Sequence, residues 1–235
     1  MEIHVVGYGG WISQPPLGYT SLYVKTDLNL LIDAGECTYV RLTQCGLPWP
    51  DAIFISHRHG DHILGVPTFL LMAKKLGRSL KLIGSVEVLE AIKALASITA
   101  IEKSLEYVEL VEAGEELTIG ATRLKFVQTR HPVYTQAVRV EHSGKCFVYS
   151  SDTAPTGGIM ELAKGCDLLA HEVSGNPGQE EEAHRVGHST TRDAVEVAKT
   201  AGVKALLPLH FYIDQPLVPP GVSLVLPTPC GRIVI

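Results

Sequence analysis

Three histidines and one aspartate fall within the six residues His57–His62, whose sequence is HRHGDH. Imidazole and carboxylate groups suit zinc, manganese, iron or cobalt, whereas an iron–sulfur cluster needs thiolates and calcium prefers carbonyl-rich loops. Each of these side chains costs free energy to bury without a partner, and apolar segments flank the cluster on both sides. A solvated polar turn is the alternative, but the density of ligand types favours a metal site.

The spacing within the cluster predicts two metal ions. His57 and His59 are two residues apart and can converge on one ion, while Asp61 and His62 lie beyond Gly60 and can turn toward a second. Two ions about 3.5–4 Å apart can hold a hydroxide and stabilise both the attacking and the leaving oxygen of a displacement. The cluster therefore predicts hydrolytic chemistry.

The neighbouring elements indicate how the cluster is positioned. The apolar run Ala52–Ile55 ends directly before it and a leucine-rich segment follows, so we expect the cluster at a strand-to-helix turn. Three more residues of metal-binding type follow apolar strand patterns further along the chain, namely His131, Asp152 and His210. Because a carboxylate has two oxygens, Asp152 is the candidate to bridge two ions.

The pattern along the rest of the chain predicts an α/β fold. Strand and helix patterns alternate in the first part, including a helix expected at His62–Leu76 despite Pro67, and period-two alternation across Leu105–Ser150 indicates antiparallel strands. This order fits two mixed sheets packed together with helices outside, as one domain of residues 1–235. The glycine-rich turn Gly7–Gly10 lacks the lysine of a phosphate-binding loop, and we expect it to bring backbone close to the site.

Composition narrows the function classes. The 235 residues carry a net charge of −5, which argues against a broad basic surface for nucleic acid. No apolar run approaches the about 18 residues of a membrane span, so we expect a cytoplasmic protein without membrane contact. Five cysteines are odd in number and form no CxxC pair, which predicts reduced thiols.

The series HRHGDH, His131, SSDT, AHE, GHST and LPLHF resembles the ribonuclease Z branch of the metallo-β-lactamase superfamily over nearly the full chain. The resemblance implies the αββα metallo-β-lactamase fold and two divalent metal ions, with zinc expected and manganese, iron or cobalt as alternatives. Carried onto this sequence, it assigns one ion to His57, His59 and His131, the other to Asp61, His62 and His210, and the bridge to Asp152.

The same resemblance implies a set of catalytic residues, namely Asp61, Glu172 and His188. A pair formed by Glu172 and His188 would lie beside the leaving oxygen, with His188 as the proton donor. The alternative for His188 is a residue that merely precedes a helix with Thr190 as its N-cap. Asp33, at a strand end, would support the metal loop from behind or simply form a turn, and His171 and His184 remain unassigned.

Two departures from the branch concern the substrate. The long insertion that grips tRNA lies between the positions of His131 and Asp152, where this chain has only the 20 residues 132–151, and the segment Gly178–Glu182 is acidic. We therefore expect a small or short phosphodiester substrate, with tRNA disfavoured. The alternatives are a hydrolase of sulfate esters, thioesters or lactones and a non-catalytic, metal-stabilised binding protein. A homodimer is compatible with the sequence.

Overall fold

The computed structural model describes residues 1–12, 17–211 and 216–235, and within these ranges it contains two mixed β-sheets of seven and six strands. The first sheet has the order β13-β1-β2-β3-β4-β5-β6 and the second the order β12-β11-β10-β9-β8-β7. The strands are β1 (Glu2–Gly7), β2 (Ser21–Lys25), β3 (Asn29–Ile32), β4 (Ala52–Phe54), β5 (Leu80–Gly84), β6 (Val108–Glu112), β7 (Glu116–Ile119), β8 (Thr122–Gln128), β9 (Gln136–His142), β10 (Lys145–Tyr149), β11 (Leu168–Glu172), β12 (Ala205–Leu209) and β13 (Arg232–Val234).

Helices cover the outer faces of the two sheets. The first sheet packs against α1, α3 and α4, and the second against α5 and α7, while α2 and α6 are short helices near the sheet ends. The helices are α1 (Thr38–Gln44), α2 (Gly60–Ile63), α3 (Val66–Leu76), α4 (Val86–Ile98), α5 (Gly157–Leu162), α6 (Glu180–Arg185) and α7 (Thr191–Ala201), with a 3-10 turn at Glu102–Tyr107.

Alternation along β4 shows how the layers are built. Phe54 points into the core between the sheets, where its ring lies 5.1 Å from that of Phe126 on β8. Its neighbour Ile53 points to the opposite face and packs in the core that contains Phe69 of α3. Successive side chains of a strand face opposite ways, so each buried strand contributes to two cores. The expected αββα arrangement is confirmed.

The helix expected at His62–Leu76 is divided into α2 and α3, and in that respect the prediction was wrong. The break falls at Gly65, whose backbone N–H donates to the carbonyl of Ala34 at 2.8 Å. A Cβ at Gly65 would collide with the backbone of Gly35, so the close approach requires glycine. Pro67 lies in the first turn of α3, where its missing N–H leaves no helical hydrogen bond unmade.

The prediction of antiparallel strands throughout Leu105–Ser150 is wrong for β6. This strand pairs in parallel with β5 and belongs to the first sheet, whereas β7 to β10 form the antiparallel part of the second. Helix α4 and the 3-10 turn connect β5 to β6, and such a crossover is what returns a chain parallel to its previous strand. Period-two alternation alone does not reveal the partner of a strand.

Four of the five cysteines form disulfides, so the expectation of reduced thiols was wrong. Cys45 is bonded to Cys230 and Cys146 to Cys166, while Cys37 is free and exposed. The first pair lies 185 residues apart in sequence and the second 20 apart. Spacing along the chain did not show these pairs because the fold brings them together.

We expect the Cys45–Cys230 bond to contribute about 2–5 kcal/mol to the free energy of unfolding, because it closes a long loop in the unfolded chain. The double variant C45S/C230S should unfold at a lower denaturant concentration than the wild type, as measured by far-ultraviolet circular dichroism. Cys37→Ser is the matched control and should leave the midpoint unchanged. Equal midpoints for all three proteins would contradict the prediction.

Candidate metal centre

All seven predicted ligands meet at one end of the sandwich. The cluster His57–His62 follows β4 of the first sheet, and His131, Asp152 and His210 follow β8, β10 and β12 of the second. The C-terminal ends of strands from both sheets therefore lie close together, and the polar residues that follow these strands form one cluster. The side chains are mostly buried, with Asp152 and His210 each 2% exposed.

The ligand atoms separate into two groups. One group joins His57, His59, His131 and Asp152, the other joins Asp61, His62 and His210, and the atoms of each group lie within 4.8 Å of one another. In the first group, His131 Nε2 is 3.1 Å from His59 Nδ1. In the second, Asp61 Oδ2 lies 3.3 Å from Nε2 of both His62 and His210.

The two oxygens of Asp152 face different groups. Oδ2 lies 3.7 Å from His57 Nε2 and 3.9 Å from His131 Nε2. Oδ1 lies 3.5 Å from His62 Nε2 and 3.4 Å from His210 Nε2. A carboxylate in this position can bridge two ions.

The donor set fits divalent cations. His57 Nε2 and Asp152 Oδ1 are buried and have no hydrogen-bond partner among the residues that the structure describes. Buried polar atoms are rarely left unpaired because their desolvation costs free energy. In addition, Nε2 of His62 and Nε2 of His210 lie 3.3 Å apart. Imidazole nitrogens and carboxylate oxygens converging in this way are what zinc and similar ions bind.

The protonation of the histidines reflects burial and the surrounding carboxylates. Burial lowers the pKa of His57 well below its usual value and favours the neutral imidazole that a metal ligand requires. For His62, burial also acts to lower the pKa, but Asp61, Asp152 and Asp33 outweigh it and raise the pKa well above the usual value. The negative field that holds this proton also attracts cations, so a proton and a metal ion compete for His62.

Asp33 supports the ligand loop from behind, as the resemblance implied. This fully buried carboxylate accepts a 2.7 Å hydrogen bond from the backbone N–H of Ser56 and a 2.9 Å bond from its hydroxyl. It also accepts 2.7 Å bonds from His62 Nδ1 and the Tyr149 hydroxyl. The bond to Nδ1 leaves His62 Nε2 directed at the other ligands, which fixes the tautomer suited to metal binding.

Asp33→Asn should weaken metal binding by about 10- to 100-fold, the usual effect of removing a partner that orients a ligand. The amide keeps the size of the carboxylate but loses the charge and part of the acceptor capacity that serve His62 and Tyr149. Titration with zinc against a competing chelator measures the change. Asp51→Asn, at an exposed position before β4 of the same sheet, is the control. Equal affinities for both variants would contradict the supporting role of Asp33.

Backbone contacts also shape the site. The N–H of Ala34 donates to the carbonyl of His62 at 2.8 Å, and a Cβ at Gly35 would collide with the backbone of Asp61. A Cβ at Gly10 would lie 3.3 Å from the carbonyl oxygen of His210, so the predicted role of the Gly7–Gly10 turn, close backbone approach to the site, agrees with the geometry.

His188 lies beside the ligand groups and forms an ion pair. Its Nδ1 donates to Oε1 of Glu172 at 2.8 Å, and its ring centroid lies 4.9 Å from that of His131 and 5.7 Å from that of His210. Burial acts to lower the pKa of His188, but the Glu172 carboxylate outweighs it and raises the pKa to about 9. The Glu172 carboxylate thus favours the protonated imidazole, the form that can donate a proton.

The GHST segment combines a helix cap with a contact to Glu172. Thr190 caps α7 and forms a reciprocal capping box with Asp193, while His188 two residues earlier pairs with Glu172. The unassigned histidines have other contacts. His184 Nε2 lies 2.8 Å from Asp193 Oδ2, and the buried His171 donates to the carbonyl of Glu172 at 2.8 Å.

Sequence reasoning missed two residues of the site. Tyr149 contacts Asp33 from β10, and its only signal was a polar-tipped aromatic at the end of an apolar strand. Trp11 lines a cavity of 330 Å³ over the ligands. This cavity is lined by Trp11, His59, Gly60, Asp61, Asp152, His188 and His210.

Comparison with known families identifies the region that contains the site. The family model described as "Beta-lactamase superfamily domain" matches residues 29–211, which include all seven candidate ligands. Within the described part of the chain, no helix is both long enough and apolar enough to cross a membrane.

Two relatives and one solved structure extend this similarity. The chain is 28% identical to "Ribonuclease Z" of Ignicoccus hospitalis over 260 residues, covering 88% of this chain and 86% of that protein. It is 28% identical to "Probable metallo-hydrolase YhfI" of Bacillus subtilis over 222 residues, covering 90% and 87%. The human tRNase Z, short form, superposes with a TM-score of 0.84 at 21% identity, covering 100% of this chain and 99% of that one.

Proposed function

Because this chain belongs to the metallo-β-lactamase superfamily, a superfamily of metal-dependent hydrolases, we propose that it is a ribonuclease Z-like enzyme that cleaves small or short phosphodiesters with two divalent metal ions, zinc in the first place. The two ligand groups and the position of Asp152 between them support two ions. Ligands come from both sheets, and we propose accordingly that residues 1–235 act as one domain.

The observation that carries the proposal is the charged pair of His188 and Glu172 beside the ligand groups. Phosphodiester cleavage expels an alkoxide, and a positioned acid that protonates this oxygen accelerates the step. His188 lines the cavity over the ligands, and its hydrogen bond to Glu172 holds the ring and its proton there. Metal binding alone does not require an imidazole held in this position by a carboxylate, whereas cleavage with proton donation does.

Each residue of the site has a proposed task. His57, His59 and His131 would hold one ion, Asp61, His62 and His210 the other, and Asp152 would contact both. When bound, the ions supply activated water and neutralise charge on the phosphodiester. Asp61 also lines the cavity and so contacts the substrate side of the site, while Glu172 orients His188.

The surroundings of the site support a small substrate. The segment between His131 and Asp152 forms only the hairpin of β9 and β10. The alignment with the Ignicoccus relative spans 260 residues, more than the 235 of this chain, so that relative contains residues without a counterpart here. Three consecutive glutamates open α6 near the cavity and repel a polyanion. We also propose a cytoplasmic location. Because the chain has two disulfides, this location fits a hyperthermophilic source best, since intracellular proteins contain structural disulfides mainly in hyperthermophiles.

Metal analysis and substrate assays test the proposal. Protein loaded with zinc, manganese or cobalt should retain two ions per chain by elemental analysis and hydrolyse bis(p-nitrophenyl) phosphate. Pre-tRNA should be processed weakly or not at all at physiological salt, where electrostatic affinity is screened. Inert phosphodiesters with turnover of sulfate esters, thioesters or lactones would overturn the substrate class. Retention of at most one ion would overturn the dinuclear site.

A further inference from the structure

A second cavity adjoins the metal centre. It has a volume of 450 Å³ and shares Trp11 and His188 with the smaller cavity over the ligands. Its other walls come from the segment after β11 and from α6, including Ser174, Ala183 and Val186. A molecule that occupied both cavities would therefore pass the imidazole of His188.

The polar groups at the base of this cavity already have partners. Ser174 donates its hydroxyl to Glu172 Oε2 at 3.0 Å, and the side-chain oxygen of Gln179 accepts from the N–H of Asn176 at 2.7 Å. Part of the surface of the two apolar side chains is exposed, 58% for Trp11 and 44% for Val186. The cavity therefore offers an aromatic ring and aliphatic surface for contact with an occupant.

Charge at the rim is balanced. Glu182 and Arg185 both line the cavity from α6 and both are exposed. Among the described residues that line the cavity, this carboxylate and this guanidinium are opposite in charge. The shape of the cavity and contact with Trp11 are then the features that would select an occupant.

We propose that this cavity is a leaving-group pocket, which receives a planar aromatic ring carried by the leaving group of the substrate and stacked against Trp11. The inference rests on the proposed function, because it places the leaving oxygen at His188 and the rest of the leaving group on the far side of that imidazole. An aromatic side chain exposed at a binding surface commonly stacks on flat ligands, and bases stack on it regardless of sequence.

The flat ring has two sources in phosphodiesters, an aryl group or a nucleobase. Both have a π face, and Trp11 does not distinguish them by stacking alone. The experiment therefore needs one arm for each source, and each arm compares a substrate that has the ring with a substrate that lacks it.

The aryl arm uses two methyl phosphodiesters whose leaving alcohols have matched acidity, one a phenol and the other a fluorinated alkyl alcohol. The wild-type, metal-loaded enzyme should prefer the phenyl diester, and Trp11→Ala should lower the ratio of the two kcat/KM values about tenfold or more. Trp11→Phe should restore part of the ratio. Ile12→Ala removes the neighbouring exposed side chain and should leave the ratio unchanged.

The nucleobase arm compares a dinucleotide with the same molecule lacking the base on the leaving side. A drop in this ratio for Trp11→Ala identifies a nucleobase as an occupant, whereas a drop in the aryl arm alone identifies an aryl group. If Trp11→Ala left the kcat/KM ratio unchanged in both arms, the leaving-group pocket would be wrong. Turnover of the diesters by the wild type would still support the proposed function.

If neither diester is cleaved, the proposed function is wrong. The pocket can then still be tested by a binding measurement. The sequence has two tryptophans, so Trp49→Phe isolates the fluorescence of Trp11. Phenyl phosphate and adenosine monophosphate should quench this fluorescence in the metal-loaded protein, and methyl phosphate and ribose phosphate should not. Equal responses to all four would overturn the stacking.

Discussion

Replacing Asp152 by alanine is expected to abolish metal retention and activity together, with a loss of about 10³-fold or more in kcat/KM. Its oxygens face both candidate ligand groups, so its loss would remove a contact from both proposed ions at once. The substitution also removes the negative charge that lies beside four buried or partly buried histidines, namely His57, His62, His131 and His210. Elemental analysis and hydrolysis of bis(p-nitrophenyl) phosphate measure the two losses.

Asp51→Ala provides the comparison, because this exposed aspartate precedes β4 and so tests the loss of a carboxylate from the same sheet without touching the site. It should keep both ions and full activity. If the Asp152 variant retained two ions per chain at wild-type affinity, the bridging role would be wrong even if activity fell.

Replacing His188 by alanine is expected to lower the rate by about 10²- to 10⁴-fold with both ions retained, the loss typical of a missing general acid. The loss should be largest for alkyl leaving groups and should shrink for nitrophenol, whose anion departs without protonation. This dependence separates proton donation from ligation, since loss of a ligand would affect all leaving groups alike.

The control for this variant is His142→Ala, which removes a histidine near Asp27, on the β9 hairpin outside the site. It should leave the rate and the metal content unchanged. A further outcome bears on the geometry, because His188, Asp152 and His210 also have ligand atoms within 4.8 Å of one another. Loss of one ion in His188→Ala would identify His188 as a metal ligand. An unchanged rate would show that His188 merely precedes α7.

Much of the site could be predicted because its ligands are polar residues at the ends of apolar strands. The run Ala52–Ile55 and the cluster after it form a local pattern that tertiary contacts do not alter, and the same holds for His210 after β12. Likewise, the order of strand and helix patterns along the chain predicted two packed sheets with helices outside, and the family resemblance implied the αββα arrangement.

The features that were missed depend on contacts between distant segments. Cys45 follows α1, which packs against β1, and the backbone N–H of Cys230 donates to the carbonyl of Val5 in the same strand, so β1 brings the two cysteines together. Nothing in their spacing along the chain indicates this. The pairing of β6 with β5 was missed for the same reason. Trp11 gave no signal either, because a tryptophan beside a glycine-rich turn can serve a core as well as a cavity.

The ligands taken from both sheets have a consequence for biosynthesis. His62 and His210 lie 148 residues apart, so at about 5–20 residues per second a ribosome makes the first about 7–30 s before the second. During that interval the nascent chain contains the HRHGDH motif but not yet His210, and Asp152 also follows later. The set of candidate ligands is therefore incomplete. If the proposed ions bind, capture at full affinity would therefore require that both Asp152 and His210 have been translated, and metal binding would stabilise the sandwich only after both sheets have folded.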